Sequence, residues 1–146
     1  MDRTFSKNNL QVKGFFDELT STISYVVYDI KEKECAVIDS VLDFDYSSGS
    51  IDYINADKII SFIKKNDLNL IWLIETHVHA DHLSAAPYIQ KKLGGKIGIS
   101  EKISDVQNIF GKTFNAGTEF QRDGSQFDKL FKLSLIHISE PTRPLY

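Results

Sequence analysis

Three of the four histidines fall inside one short segment, Thr76-His77-Val78-His79-Ala80-Asp81-His82. Imidazole and carboxylate groups are common ligands of zinc and of non-haem iron. The H-x-H-x-D-H spacing concentrates them at one point of the chain. The preceding run, Leu70-Ile71-Trp72-Leu73-Ile74, reads as a buried strand, so the cluster is expected where a strand ends and a helix begins. A strand end holds ligands rigidly, and a turn after it lets His77, His79 and His82 converge. The plain alternative is a polar loop with three scattered histidines.

The elements that must position this cluster are legible on both sides. Val12 to Phe16 and Ile23 to Ile30 are rich in Val, Ile, Phe and Tyr and predict strands, with Tyr25 and Tyr28 as sheet residues. Lys31-Glu32-Lys33-Glu34 predicts a charged turn before a third strand, Cys35 to Ile38, giving an antiparallel meander. Asp39 ends that strand. As a strand-end aspartate it would accept backbone N–H bonds. Asp43 to Ser50 reads as a polar loop, and Asn55 as the cap of a helix whose apolar residues Ala56, Ile59, Ile60 and Ile63 share one face. After the motif, Ser84 to Leu93 predicts a helix with Pro87 near its first turn and Gly94-Gly95 at its end. Ile97 to Ile99 predicts a short strand and Glu101 to Phe110 a further helix. The expected fold class is α/β, a mixed sheet with flanking helices.

At 146 residues, with 42% hydrophobic and 25% charged residues, the chain has the composition of a soluble globular protein. A net charge of −3 without a basic block argues against a nucleic-acid partner. One cysteine excludes an intrachain disulfide and fits a reducing compartment. No signal core and no run of about 18 apolar residues is present, so a cytoplasmic location without membrane partners is expected. Cys35 reads as a small apolar strand residue rather than a nucleophile. Lys91, Lys92 and Lys96 read as a solvated helix end or as attraction for an anionic thiol. The composition leaves the oligomeric state open.

Thr-His-x-His-x-Asp-His after a hydrophobic strand resembles the metallo-β-lactamase superfamily. The stretch Glu75 to Tyr88, with Val37 to Asp43 upstream and Asp123 to Asp128 downstream, is similar to its branch of persulfide dioxygenases and β-lactamase hydrolase-like proteins. The resemblance covers roughly Val12 to Phe131 and implies an αββα sandwich, of which this chain looks like the N-terminal half. It implies metal ligands among His77, His79, Asp81 and His82. In the iron branch His77 would bind one Fe(II), and a later His and Asp outside this chain would complete the set; His79, Asp81 and His82 would surround it. In dinuclear zinc members all four would bind metal, and Asp81 would also act catalytically by orienting the attacking water. Thr76 would brace the motif loop, and Asp39, matching the superfamily's first motif, would support it rather than bind metal. Arg122, Asp123, Ser125 and Gln126 would line the mouth of the substrate pocket or form a plain loop.

The last residues differ from the rest. Leu133-Ser134-Leu135-Ile136-His137-Ile138-Ser139-Glu140-Pro141-Thr142-Arg143 agrees, residue for residue, with the translation of a common transposase-based sequencing adapter. The expected organisation is a truncated metallo-β-lactamase-like domain over 1–132 and a non-native tail over 133–146, with His137 outside any ligand set. Three functions follow as expectations. The first is an iron(II) persulfide dioxygenase that converts glutathione persulfide to sulfite. The second is a dinuclear zinc hydrolase of the glyoxalase-II thioesterase type. The third is an inert, aggregation-prone fragment. The Leu83-Ser84-Ala85-Ala86-Pro87-Tyr88 continuation favours the first, and a small thiol or persulfide, glutathione-based, is its expected partner. A fused rhodanese-type domain is compatible with all three.

Overall fold

A computed structural model describes residues 4–132. The tail over 133–146, His137 included, lies outside the described residues. The chain divides into two compact units, Met1–Ile97 and Gly98–Tyr146.

The first unit opens with an antiparallel meander of β1 (Thr4–Lys7), β2 (Leu10–Asp17), β3 (Thr22–Asp29) and β4 (Glu34–Ile38). Alternation decides which face is buried: Cys35 and Val37 of β4 point into the core, and their neighbours are more exposed. Burial pushes the Cys35 thiol up to about 11, the wrong direction for a nucleophile. Next come β5 (Val41–Asp45) and β6 (Ser50–Asp52), an antiparallel pair, and α1 (Ile54–Lys65). The buried residues of α1 are Ala56, Ile59, Ile60 and Ile63, the stripe expected from the 3.6-residue period. The chain returns through β7 (Asn69–Ile74), which pairs parallel with β4.

The expected polar loop over Asp43 to Ser50 is therefore largely a hairpin. Its Asp residues alternate with Leu42 and Phe44, and Asp45 makes the turn by accepting from the Ser47 N–H and the Ser48 hydroxyl. Asn55 does not cap α1 either. It sits inside the first turn, and Tyr53 occupies the cap position without a side-chain bond. The cap comes from a distant strand, because the Asp43 carboxylate accepts the Asn55 backbone N–H at 2.9 Å. The Asn55 amide donates to Asp43 at 2.6 Å and to Asp17 at 2.9 Å. It thus ties the β2–β3 hairpin, β5 and the start of α1 together.

Asp17 also closes its own hairpin, accepting the Thr20 N–H at 2.9 Å and the Thr20 hydroxyl at 2.5 Å. Burial pushes the Asp17 carboxyl up, but the hydrogen bonds from Thr20 and Asn55 outweigh it and hold it below its ordinary value. A carboxyl depressed in the folded state stabilises above its unfolded pKa, and that contribution is lost as pH falls through the folded value. Acid unfolding of Asp17→Asn is therefore expected to show a flatter dependence on pH below about 4, the usual aspartate range, than the unaltered chain. Denaturant midpoints measured across that range check it.

After the histidine segment, Leu83–Ser84 forms β8, antiparallel to β5. The following helix, α2, runs over Ala86–Leu93 rather than from Ser84, because pairing with Val41 of β5 holds Ser84 in a strand and Ala85 takes the cap position. Pro87 lies in its first turn and Gly94, at φ 78°, ends it, as the sequence requires. β9 (Lys96–Ser100) begins at the end of the first unit and runs into the second.

In the second unit β9 pairs parallel with β10 (Lys129–Phe131), and α3 (Ile103–Thr113) lies between them in sequence. The helix starts two residues later than the sequence predicts and extends three further. Arg122 donates to the carbonyls of Gly111 and Ala116, and Gln126 donates to the carbonyl of Gln121. Asp123 accepts the Ser125 N–H. These bonds serve the end of α3 and its loop, so the plain-loop reading accounts for all four residues. Among the described residues no helix is long and apolar enough to cross a membrane.

Candidate metal centre

Two parallel strands end side by side, and everything at the site follows from that. A register shift between Cys35 and Ala36 brings Ile38 opposite Ile74, so β4 and β7 finish together. Asp39 and Glu75 are the next residues on each strand. Ligands in sheets of this kind bind beyond the carboxyl ends of the strands. Asp39 adopts φ 50°, a left-handed conformation that aspartate tolerates better than most residues. Its backbone N–H donates to the carbonyl of Ile74 at 3.0 Å, and its own carbonyl accepts the Ser24 hydroxyl at 2.8 Å.

From that position the Asp39 carboxylate organises the histidine segment. It accepts the Thr76 N–H at 2.8 Å, the Thr76 hydroxyl at 2.6 Å and His79 Nε2 at 3.0 Å. The reading of Asp39 as a support for the loop, and of Thr76 as its brace, describes these contacts. Asp39 also lies among possible ligands with His77 and His79. With both its oxygens already accepting hydrogen bonds, it is better suited to bracing than to holding an ion.

The hydrogen-bond partners assign the histidine tautomers. The Thr76 hydroxyl spends its proton on Asp39, so at 2.8 Å it accepts from His77 Nδ1, and His77 Nε2 keeps a free lone pair. His79 Nε2 faces two carboxylates, Asp39 and Glu75, each at 3.0 Å; it carries the proton, and Nδ1 is free. His82 Nδ1 donates to the carbonyl of Leu83 at 3.0 Å, which leaves Nε2 free. Burial is the main cause that holds His79 below its ordinary pKa and favours the neutral ring that a metal needs.

The rings are close: centroids of His77 and His79 are 4.3 Å apart, and those of His79 and His82 4.2 Å. Donor atoms of His79, Asp81 and His82 all lie within 4.8 Å of one another. The segment therefore brings His77, His79, Asp81 and His82 into one cluster, with His79 in the middle. Three imidazoles with assigned free nitrogens, each held by a backbone or side-chain oxygen, fit the chemistry of zinc or iron ligation. A cavity of about 200 Å³ is lined by His79, Asp81 and His82 together with the apolar Leu42, Phe44 and Tyr46 of the β5 hairpin.

Glu75 and Ser84 are the residues that the sequence did not single out. Glu75 is 6% exposed, binds His79 through Oε2 and accepts the Ser84 hydroxyl at Oε1. Burial pushes its carboxyl up to about 7, against the Ser84 hydrogen bond and with help from the Asp39 charge. The available signal was a glutamate at the end of a buried strand, where a charge needs a partner. Ser40, beside Asp39, is the opposite case: its hydroxyl is buried with no hydrogen-bond partner among the described residues. Leaving a buried hydroxyl unpaired costs about 1–3 kcal/mol, so Ser40→Ala is expected to leave stability unchanged or raise it, as thermal unfolding would show.

Comparison with known proteins adds four findings. Residues 18–138 match the family model of the metallo-beta-lactamase superfamily. A Burkholderia pseudomallei protein named "Probable metallo-hydrolase" is 52% identical over 121 residues, 83% of this chain and 41% of that protein. Human mitochondrial persulfide dioxygenase is 25% identical over 96 residues, 66% of this chain and 34% of its own length. Among solved structures, ETHE1 from Myxococcus xanthus aligns with a TM-score of 0.50 at 25% identity, over 60% of this chain and 34% of that one. The chain thus spans less than half the length of each of these relatives.

Proposed function

The chain belongs to the metallo-β-lactamase superfamily, and on that footing we propose that the whole protein is a metal-dependent enzyme acting on a small sulfur compound. The observation that carries this is the cluster of three histidines with assigned free nitrogens, His77 Nε2, His79 Nδ1 and His82 Nε2, beside Asp81 at the edge of a cavity. The leading reading is an iron(II) persulfide dioxygenase that takes glutathione persulfide, O₂ and water to glutathione and sulfite. The Leu83 to Tyr88 continuation and the similarity to human persulfide dioxygenase support it. Iron held by two histidines and a carboxylate would supply adjacent open positions for the persulfide sulfur and O₂.

The residues of this chain would do the positioning. His77 keeps its Nε2 available because the Thr76 hydroxyl, itself held by Asp39, accepts from its other nitrogen. The apolar wall of Leu42 and Phe44 would keep water from the sulfur. Asp81, exposed and lining the cavity, would orient a water or a substrate proton.

A specific observation favours a second reading, a dinuclear zinc hydrolase of the thioesterase type. His79, Asp81 and His82 form a three-donor group of their own, next to His77. Two zinc ions would supply a water activated at neutral pH, and Asp81 would orient it for attack on the thioester carbonyl. Metal analysis of the purified protein separates the two. One iron per chain with O₂ uptake on glutathione persulfide supports the dioxygenase. Two zincs per chain with thioester hydrolysis supports the hydrolase.

A further inference from the structure

We propose that Glu75, backed by Ser84, is a positioning residue that sets the affinity of the metal centre by aiming His79. The inference rests on the dinuclear zinc reading above, in which His79 is a ligand, and concerns residues outside the ligand set. Glu75 occupies the first position after β7 and is buried, yet both of its carboxylate oxygens are used. Oε2 holds His79 Nε2 at 3.0 Å, and Oε1 accepts the Ser84 hydroxyl. The same Ser84 oxygen accepts the backbone N–H of Ala86, the first residue of α2, at 3.1 Å. Ser84 itself is fixed by strand pairing, since β8 lies opposite Val41 on β5.

A continuous chain of donors and acceptors therefore runs from the start of α2, through Ser84 and Glu75, to the ring of His79. His79 is the histidine that both three-donor groups share. Asp39 alone could keep the proton on Nε2, but one acceptor leaves the ring free to rock about that bond. A second acceptor on another strand end fixes the ring plane, and with it the direction of the Nδ1 lone pair. The Glu75–His79 contact is a short one in sequence, four residues apart, and closes the loop that carries His77.

The test measures zinc affinity by chelator competition, and the visible spectrum with cobalt(II), on the 146-residue chain and on Glu75→Ala, Glu75→Gln and Ser84→Ala. Circular dichroism establishes that each is folded. Glu75→Ala is expected to bind zinc about 10–100-fold more weakly, the range for losing an outer partner of a ligand histidine, and to alter the cobalt(II) bands. Glu75→Gln keeps an acceptor for Nε2–H and is expected to stay within about threefold, below that range, with unaltered bands. A purely structural role for the carboxylate predicts no such rescue. A folded Glu75→Ala with unchanged zinc affinity overturns the inference. If Glu75→Ala does not fold, Ser84→Ala decides: weaker zinc binding supports the relay, and unchanged binding overturns it. Failure of the unaltered chain to bind zinc or cobalt would instead overturn the metal reading, and this inference with it.

Discussion

Replacing His79 by alanine is expected to cost the chain more than about 100-fold in zinc affinity, a larger loss than any other single substitution at the site. The reason is its place in the cluster. His77 belongs to one possible three-donor group and His82 to the other, but His79 belongs to both. Losing an outer partner of a ligand costs about 10–100-fold, and losing the ligand itself must exceed that, or about 2.8 kcal/mol at the 100-fold mark. His77→Ala leaves the group of His79, Asp81 and His82 intact, and His82→Ala leaves His77, His79 and Asp81; each is expected to fall short of His79→Ala. Chelator competition on the three variants gives the ranking directly. A His79→Ala chain that binds as well as His82→Ala would show that the two groups do not share this residue.

Asp39→Ala is the second large effect, and it should appear in both stability and metal binding. The substitution removes the acceptor of the Thr76 N–H, of the Thr76 hydroxyl and of one His79 contact. It also places alanine at φ 50°, where a Cβ without a polar partner costs about 1–2 kcal/mol. Hydrogen bonds to a charged group contribute about 1.5–3 kcal/mol each, but Thr76 is exposed and water recovers much of its share. The expected net loss is about 3 kcal/mol, read from denaturant unfolding. Metal affinity should fall as well, because the Thr76 hydroxyl no longer has a fixed direction for its proton and His77 loses its preferred tautomer. Asp39→Asn tolerates the backbone and is expected to lose about 1 kcal/mol, while still weakening the metal by about tenfold. An Asp39→Ala chain with unchanged stability and affinity would contradict the bracing role.

Where short-range patterns set the structure, they are legible in the residues alone. Alternation over Ile23 to Ile30 and Cys35 to Ile38 predicts the meander, and the Ala56, Ile59, Ile60, Ile63 stripe predicts α1, because burying one face requires those periods. The histidine segment is legible for a similar reason. Its four donors lie within six residues, so any turn after the β7 strand brings them close whatever the rest of the chain does. Legibility ends where distant residues decide. Asn55 resembles a cap by type, but Asp43, twelve residues away, supplies the cap through the β5 hairpin. Ser84 resembles a helix start, but pairing with Val41 makes it a strand residue. The bracing of His79 by Glu75 depends on β4 and β7 ending in register, which needs the shift at Cys35. Asp39 reads equally as a support or as a plain strand end, and only its bonds to Thr76 and His79 separate the two.

The free nitrogens of His77, His79 and His82 are Nε2, Nδ1 and Nε2, the atoms each ring would offer to a metal. Long-range ¹H–¹⁵N correlation of the histidine rings, recorded on the full chain before and after zinc, reads each nitrogen separately. The account predicts Nδ1–H on His77 and His82 and Nε2–H on His79 without metal, and zinc-induced shifts confined to the opposite nitrogens. Shifts at His79 Nε2, or rings unchanged by saturating zinc, would contradict it.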